Sequence, residues 1–210
     1  MAPAAKSGRF ITLEGGEGTG KSTLARGLAE ALRAKGREVV VTREPGGAPG
    51  ADAIRALLVS GDANRWSAEE EALLFAAARL NHLRHTIRPA LARGAWVICD
   101  RYFDSTRAYQ VGGAGLDPAN LDQLNGQIRA DCPDLTLMLD IDPIIGLARS
   151  RGAHMGEDRF ERKGAEFHAR VRAEFLEIAA REPERCKVID ASQTAEAVLA
   201  ASLREIEALP

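Results

Sequence analysis

The chain has 210 residues, 45% of them hydrophobic and 28% charged, which suits one domain with a buried core and excludes a disordered chain. Its formal charge of −2, from 28 basic and 30 acidic residues, argues against a general nucleic-acid binder; the basic residues are mostly arginine, a side chain suited to bidentate contact with phosphate. Cys99, Cys132 and Cys186 have neither disulfide-framework nor zinc-site spacing, MAPAAKSGR has no apolar leader segment, and no run of about eighteen apolar residues occurs, so a reducing cytoplasm and no membrane contact are expected.

In chain order, RFITLE (9–14) reads as a first buried strand and STLARGLAEAL as the helix after it. EVVVTRE (38–44) is a second strand. Ser67 with Glu70 forms a capping box ahead of EALLFAAARLNHLRHTI, and Pro89 is expected to kink or end that helix. AWVICDR (95–101) is a third strand, and Asp117 followed by Pro118 opens another helix. LTLMLDID (135–142) and KVIDAS (187–192) complete five strands. Between the last two, RSRGAHMGEDRFERKG (149–164) is charged and poor in apolar residues, and reads as exposed and mobile. Strands alternating with crossover-length helices predict an α/β fold of three layers, a five-stranded parallel sheet flanked by helices, in a single domain over 1–210.

The stretch EGGEGTGKST (14–23) satisfies G-x-x-x-x-G-K-[ST] at Gly15, Gly20, Lys21 and Ser22, with a strand before it and a helix after it. Such a loop turns backbone N–H groups from Gly15, Gly16, Glu17, Gly18, Thr19 and Gly20 toward phosphate oxygens, and the helix N-terminus at Ser22 and Thr23 adds positive potential. Lys21 reaches the terminal phosphates and Ser22 can ligate Mg²⁺. The dinucleotide pattern G-x-G-x-x-G fails because Lys21 stands where its last glycine belongs, and no guanine-reading N-K-x-D occurs. Arg43 and Arg101 close the second and third strands, where open α/β sheets bind ligands; guanidinium groups there suit two mutually repelling phosphates.

FITLEGGEGTGKST, TREPGG (42–47), LLFAAAR (73–79), DRYFDSTRAYQ (100–110) and DLTLMLDID (134–142) stand in the order and at the spacing of the bacterial thymidylate kinases, which the chain resembles over nearly its whole length. The resemblance implies transfer of the ATP γ-phosphoryl group to dTMP with Mg²⁺ on a P-loop kinase core, a lid over about 149–164, and a homodimer packed through long helices such as EEEALLFAAARLNHLRHTI. It places Glu14, Arg43, Glu44 and Pro45 at dTMP, with Arg43 on its phosphate and Glu44 near magnesium or the sugar. Phe75 stacks on thymine, Arg79 one turn onward meets its O4, and Ser105, Thr106 and Gln110 lie near the base. Tyr109 sits under the sugar, where a ribose 2′-OH would clash, while one methyl separates dTMP from dUMP by only about 1–3 kcal/mol, so some dUMP turnover is expected. Asp100 joins Ser22 at magnesium, and Lys21 and Arg101 act on the transferred group.

The phosphate loop carries no arginine at Gly16, Glu17, Gly18 or Thr19, so the family pattern draws the catalytic arginine from the lid, with Glu17 paired to it. Anchoring on GLARSRG favours Arg149 at ATP and Arg151 at the transition state; anchoring on EDRFE picks out Arg159. The four histidines have no ligand spacing and are read as surface or core residues. Two other readings stay open. One is a kinase of another nucleotide, against which LLFAAAR with AYQ favours a 4-oxo pyrimidine; the other is an inactive nucleotide-binding regulator, which would be expected to lack Lys21, Asp100 or the lid arginines.

Overall fold

A computed structural model describes residues 8–62, 64–125, 131–150 and 159–209. In chain order it contains β1 (Phe10–Glu14), α1 (Lys21–Ala34), β2 (Val39–Arg43), α2 (Pro49–Val59), α3 (Ala68–His82), α4 (Arg88–Ala92), β3 (Trp96–Asp100), α5 (Phe103–Thr106), α6 (Pro118–Asn125), β4 (Leu135–Asp140), α7 (Pro143–Ser150), α8 (Ala165–Arg181), β5 (Cys186–Asp190) and α9 (Ala195–Glu207). The five strands are those expected, all parallel in the order β2-β3-β1-β4-β5. Every residue of the central β1 is buried, because both its edges and both its faces are covered. On one face Ile11, Leu13 and Leu137 pack with Leu24 and Leu28 of α1 and Val198 and Ile206 of α9; on the other Phe10, Val97 and Cys99 pack with Leu83, Ile87 and Tyr102.

Parallel pairing brings all five C-terminal strand ends to one edge. The chain leaves β1 toward β2 on one side and leaves β4 toward β5 on the other, so the connections diverge between these adjacent strands and open a crevice there.

Two elements depart from plain α-helix. The capping box forms as predicted, with Glu70 N donating to Ser67 Oγ and Ser67 N to Glu70 Oε2. Pro89 neither ends nor breaks the run: α3 passes through a π-helical turn at Leu83–Ile87 and resumes as α4. The wider turn just before Pro89 takes up the missing N–H and the ring's steric demand. A second π-helical stretch, Arg107–Gly113, carries Tyr109 and Gln110.

Candidate active site

The strand-end crevice holds a cavity of about 490 Å³, walled on one side by residues 17–23 of the phosphate loop and on the other by Arg43, Pro45, Phe75, Arg79, Arg101 and Tyr109. The phosphate loop can turn this sharply only with glycine. A Cβ on Gly15 would lie 2.3 Å from the Leu139 carbonyl oxygen, and one on Gly18, whose φ is +64°, would lie 1.9 Å from that of Gly146 in α7. Lys21 is buried and folds over the loop, its Nζ donating to Gly16 O at 2.7 Å, Gly15 O at 3.2 Å and Thr19 Oγ1 at 3.1 Å. Burial and the nearby Arg101 guanidinium lower it to about 8.

β3 delivers Asp100 and Arg101 to the same edge. Asp100 Oδ2 accepts from Ser22 Oγ at 2.7 Å, which sets two hard oxygen donors side by side at the head of α1, a donor set that fits a phosphate-bound divalent cation. Among the described residues no cluster of three or more carboxylate, thiol or imidazole ligands occurs, so a cation here would rely on phosphate oxygens as well. Arg101 is the one described non-glycine residue with positive φ, at +68°. Its N–H donates to Leu13 O and its guanidinium to Gly15 O, Ser105 Oγ and Glu17 Oε1, while lying 5.0 Å from the centre of the Tyr109 ring. This strained turn is held from four directions, so the cation is pre-positioned between the phosphate loop and the opposite wall.

Several expected residues occupy places other than those predicted. Glu17 pairs with Arg101 at 3.0 Å and accepts from Tyr109 Oη at 2.7 Å, two partners that the sequence reading did not name. Glu14 is fully buried and does not line the cavity; its oxygens accept from Tyr102 N and Ser105 Oγ, and burial together with Asp104 pushes its carboxyl up. It therefore supports the Arg101 turn from below. Glu44 reaches the cavity wall, and its oxygens take Arg79 Nε at 2.7 Å and His82 Nδ1 at 3.1 Å, so it braces Arg79.

Arg159 is fully buried, bonded to the carbonyls of Leu58 and Asp62 and to Glu71, and does not line the cavity. The reading of 149–164 as exposed fails here and at Ser150, the buried last residue of α7, and holds at Arg149, which is exposed. Arg149 lines the cavity and donates to Ala191 O at 3.0 Å. Arg151 and His154 lie outside the described residues.

The far wall is a row on α3. Glu71, Phe75, Arg79 and His82 fall on one helical face, and that face turns inward, burying Glu71, Arg79 and His82 while Leu73 and Leu80 are left 53% and 43% exposed. Arg79 donates to Glu44 and to Thr106 Oγ1 at 2.9 Å, packs over the Tyr102 ring, and has a buried Nη1 with no hydrogen-bond partner. Phe75 closes the wall with Phe160, ring centres 6.2 Å apart, and Tyr109 meets Phe160 edge-on. Gln110 is buried with its Oε1 unpartnered. A cavity with one aromatic wall and both an unused N–H donor and an unused acceptor in its lining suits a flat heterocycle. Arg43 stands exposed at the rim.

The sequence reading passed over Arg55, Phe160 and Glu161, all of which line the cavity. Arg55 lies on α2 and donates to Pro45 O; nothing in its local pattern separates it from a surface arginine. Phe160 had one available signal, as a lone aromatic in a charged stretch.

The thymidylate kinase family model matches residues 13–201. A thymidylate kinase of Caulobacter vibrioides is 56% identical over 92% of this chain and 93% of its own length, and one of Magnetococcus marinus is 52% identical over 95% and 96%. A crystal structure of thymidylate kinase from Ehrlichia chaffeensis superposes with a TM-score of 0.78 at 34% identity, over 95% of this chain and 99% of that one.

Proposed function

The chain belongs to the thymidylate kinase family and carries out ATP-dependent phosphorylation of dTMP to dTDP; on that premise we propose how its residues do so. The ATP phosphates lie in the loop from Gly15 to Thr23, with Lys21 released from the Gly15 and Gly16 carbonyls to meet the terminal phosphates. The dTMP phosphate is held by Arg43 at the rim and Arg101 on its rigid turn. Thymine lies against Phe75 with its O4 on Arg79 Nη1 and its edge toward Thr106 and Gln110, and Tyr109 excludes a ribose 2′-OH. The observation that carries this reading is the buried, unpartnered Arg79 Nη1 in the wall of an aromatic-lined cavity, since a buried donor without an acceptor is costly unless a ligand supplies one.

A dTMP phosphate oxygen attacks the γ-phosphorus, the bond to the β,γ-bridging oxygen breaks, and ADP departs. The attacking oxygen is already ionised near neutral pH, so no strong general base is needed, and the protein's part is alignment and charge stabilisation by Lys21 and Arg101. Mg²⁺, held by Ser22 and through Asp100, supplies neutralisation of the phosphate charge when bound. Arg151, just beyond α7, is the transition-state arginine in this scheme, with Arg149 on the ATP side and the segment of about 149–164 closing over the site as a lid of the single domain.

We assign a homodimer to the face of α3 that bears Leu73 and Leu80, one helical repeat apart and 53% and 43% exposed in the isolated chain. Free Cys99, Cys132 and Cys186, and the absence among the described residues of any helix long and apolar enough to cross a membrane, support a cytoplasmic setting.

The test is ADP release by the purified protein with ATP–Mg²⁺ and dTMP, dUMP, dCMP, dGMP, the ribose form of TMP, UMP or AMP. Turnover confined to dTMP, with weaker dUMP, is expected; equal or faster use of a cytidine or purine monophosphate would remove Phe75, Arg79 and Tyr109 from these roles.

A further inference from the structure

We propose that the buried pair Glu71–Arg159 sets the acceptor-base specificity by fixing which way the Gln110 amide faces, an inference that rests on the thymine-pocket reading above. Glu71 lies on the inward face of α3 and is 3% exposed; Arg159, from the segment preceding α8, is fully buried. Arg159 Nη2 donates to Glu71 Oε1 at 2.5 Å, while its Nε and Nη1 donate to Asp62 O at 2.9 Å and Leu58 O at 3.1 Å. The guanidinium is thereby anchored on two carbonyls and paired to the carboxylate, which supplies the cation that a buried carboxylate needs. The other oxygen of Glu71 accepts from Gln110 Nε2 at 2.7 Å.

A primary amide can present its carbonyl or its NH₂ in nearly the same space, and its hydrogen-bond partners decide which. An ionised carboxylate is an acceptor only. Glu71 therefore demands the NH₂ end of Gln110, leaving Oε1, buried and without a protein partner, as the end available to a ligand in the cavity that Gln110 lines. Arg79 brings to the same cavity an unpartnered donor that cannot become an acceptor. One fixed donor and one fixed acceptor match a 4-oxo pyrimidine with its N3–H. A 4-amino pyrimidine offers the reverse, an N–H donor at position 4 and a bare acceptor at N3, so both contacts become repulsive. Glu71 and Arg159 touch no substrate atom in this scheme; they are positioning residues acting through Gln110.

The experiment compares kcat/KM for dTMP and dCMP at saturating ATP–Mg²⁺ in the wild type and Glu71→Gln. The substitution keeps size and shape but lets residue 71 donate as well as accept, so Gln110 can reverse. The dTMP-to-dCMP ratio is expected to fall at least about tenfold, the scale of one misdirected hydrogen bond, with KM for ATP unchanged. Equal losses for both nucleotides would overturn the inference, because a merely structural Glu71 lowers both alike. A wild type with no preference for dTMP over dCMP would overturn the thymine-pocket reading and the inference with it. Should Glu71→Gln not fold, Gln110→Met, which leaves Glu71 and Arg159 paired, carries the test: a tenfold fall in the ratio supports the inference and an undiminished ratio overturns it.

Discussion

Glu17 of the phosphate loop and Arg101 beyond β3 form an ion pair of 3.0 Å, and the same glutamate oxygen takes the Tyr109 hydroxyl at 2.7 Å. The phosphate loop, the turn after β3 and the second π-helical stretch are thus tied to one carboxylate. Burial works against that charge, but Arg101, Lys21 and the Tyr109 hydrogen bond outweigh it and hold Glu17 down at about 2. Glu17→Gln is expected to lower kcat by on the order of 10- to 100-fold, the loss of a charge-assisted bond, with KM for ATP little changed. Because Glu17 stays ionised well below neutrality, the acid limb of the wild-type pH–rate profile should persist in the variant. Steady-state kinetics across pH checks both points, and an unaltered kcat would show that the pair is not used in turnover.

Lys21 titrates in an accessible range. Burial and Arg101 lower it to about 8 in the free protein, and a bound triphosphate favours its charged form. ATP affinity is therefore expected to weaken as the pH rises through about 8, and ATP binding at about pH 8.5 to take up a proton. Calorimetry in buffers of different ionisation enthalpy measures that uptake directly; a buffer-independent heat would contradict it.

Arg159 and Arg151 should separate by phenotype. Arg159→Met leaves Glu71 buried without its cation, a change that costs about 3–5 kcal/mol and lowers Tm. Arg151→Ala is expected to leave Tm unchanged and to reduce kcat by about 10³-fold, in the range of other transition-state arginines. Thermal unfolding beside turnover distinguishes them. A loss of less than tenfold in kcat for Arg151→Ala would remove that residue from the transition state.

Gly146 joins the phosphate loop to α7. A Cβ there would lie 2.3 Å from Glu17 O, so Gly146→Ala must push α7, and Arg149 with it, off the loop. A stability loss of about 1–3 kcal/mol and a raised KM for ATP are expected. Gly164→Ala is the matched control, since a Cβ at Gly164 meets nothing within 4 Å and its φ of −65° suits any residue. Equal behaviour of the two variants in ATP kinetics would show that the close contact does not matter.

Much of the scaffold was legible because its signals are local. Apolar β-branched runs marked five strands, Ser67 with Glu70 marked the start of α3, and the glycine-rich loop carried its own backbone geometry. The orientation of α3 was not legible in that way. Its leucines and alanines fit either an inward stripe or an outer face, and the fold buries Ala72 and Ala78 with Glu71, Arg79 and His82 while leaving Leu73 and Leu80 exposed. Buried polar residues are stable only with partners, and those of α3 come from β2 (Thr42), the residue just after it (Glu44), α5 (Thr106) and the segment before α8 (Arg159).

What the sequence by itself determined is the parallel sheet, the phosphate loop with Lys21 and Ser22, and the delivery of Arg43 and Arg101 to strand ends, because strand period, glycine freedom and chain direction are carried by neighbouring residues. Only the tertiary structure decided that Glu17 holds Arg101, that Glu14 and Glu44 brace the site from behind, and that Arg159 is buried beside Glu71. Those pairs lie 35 to 88 positions apart. A charged side chain's role is set by whichever partner the fold brings to it, and chain spacing carries no record of that partner.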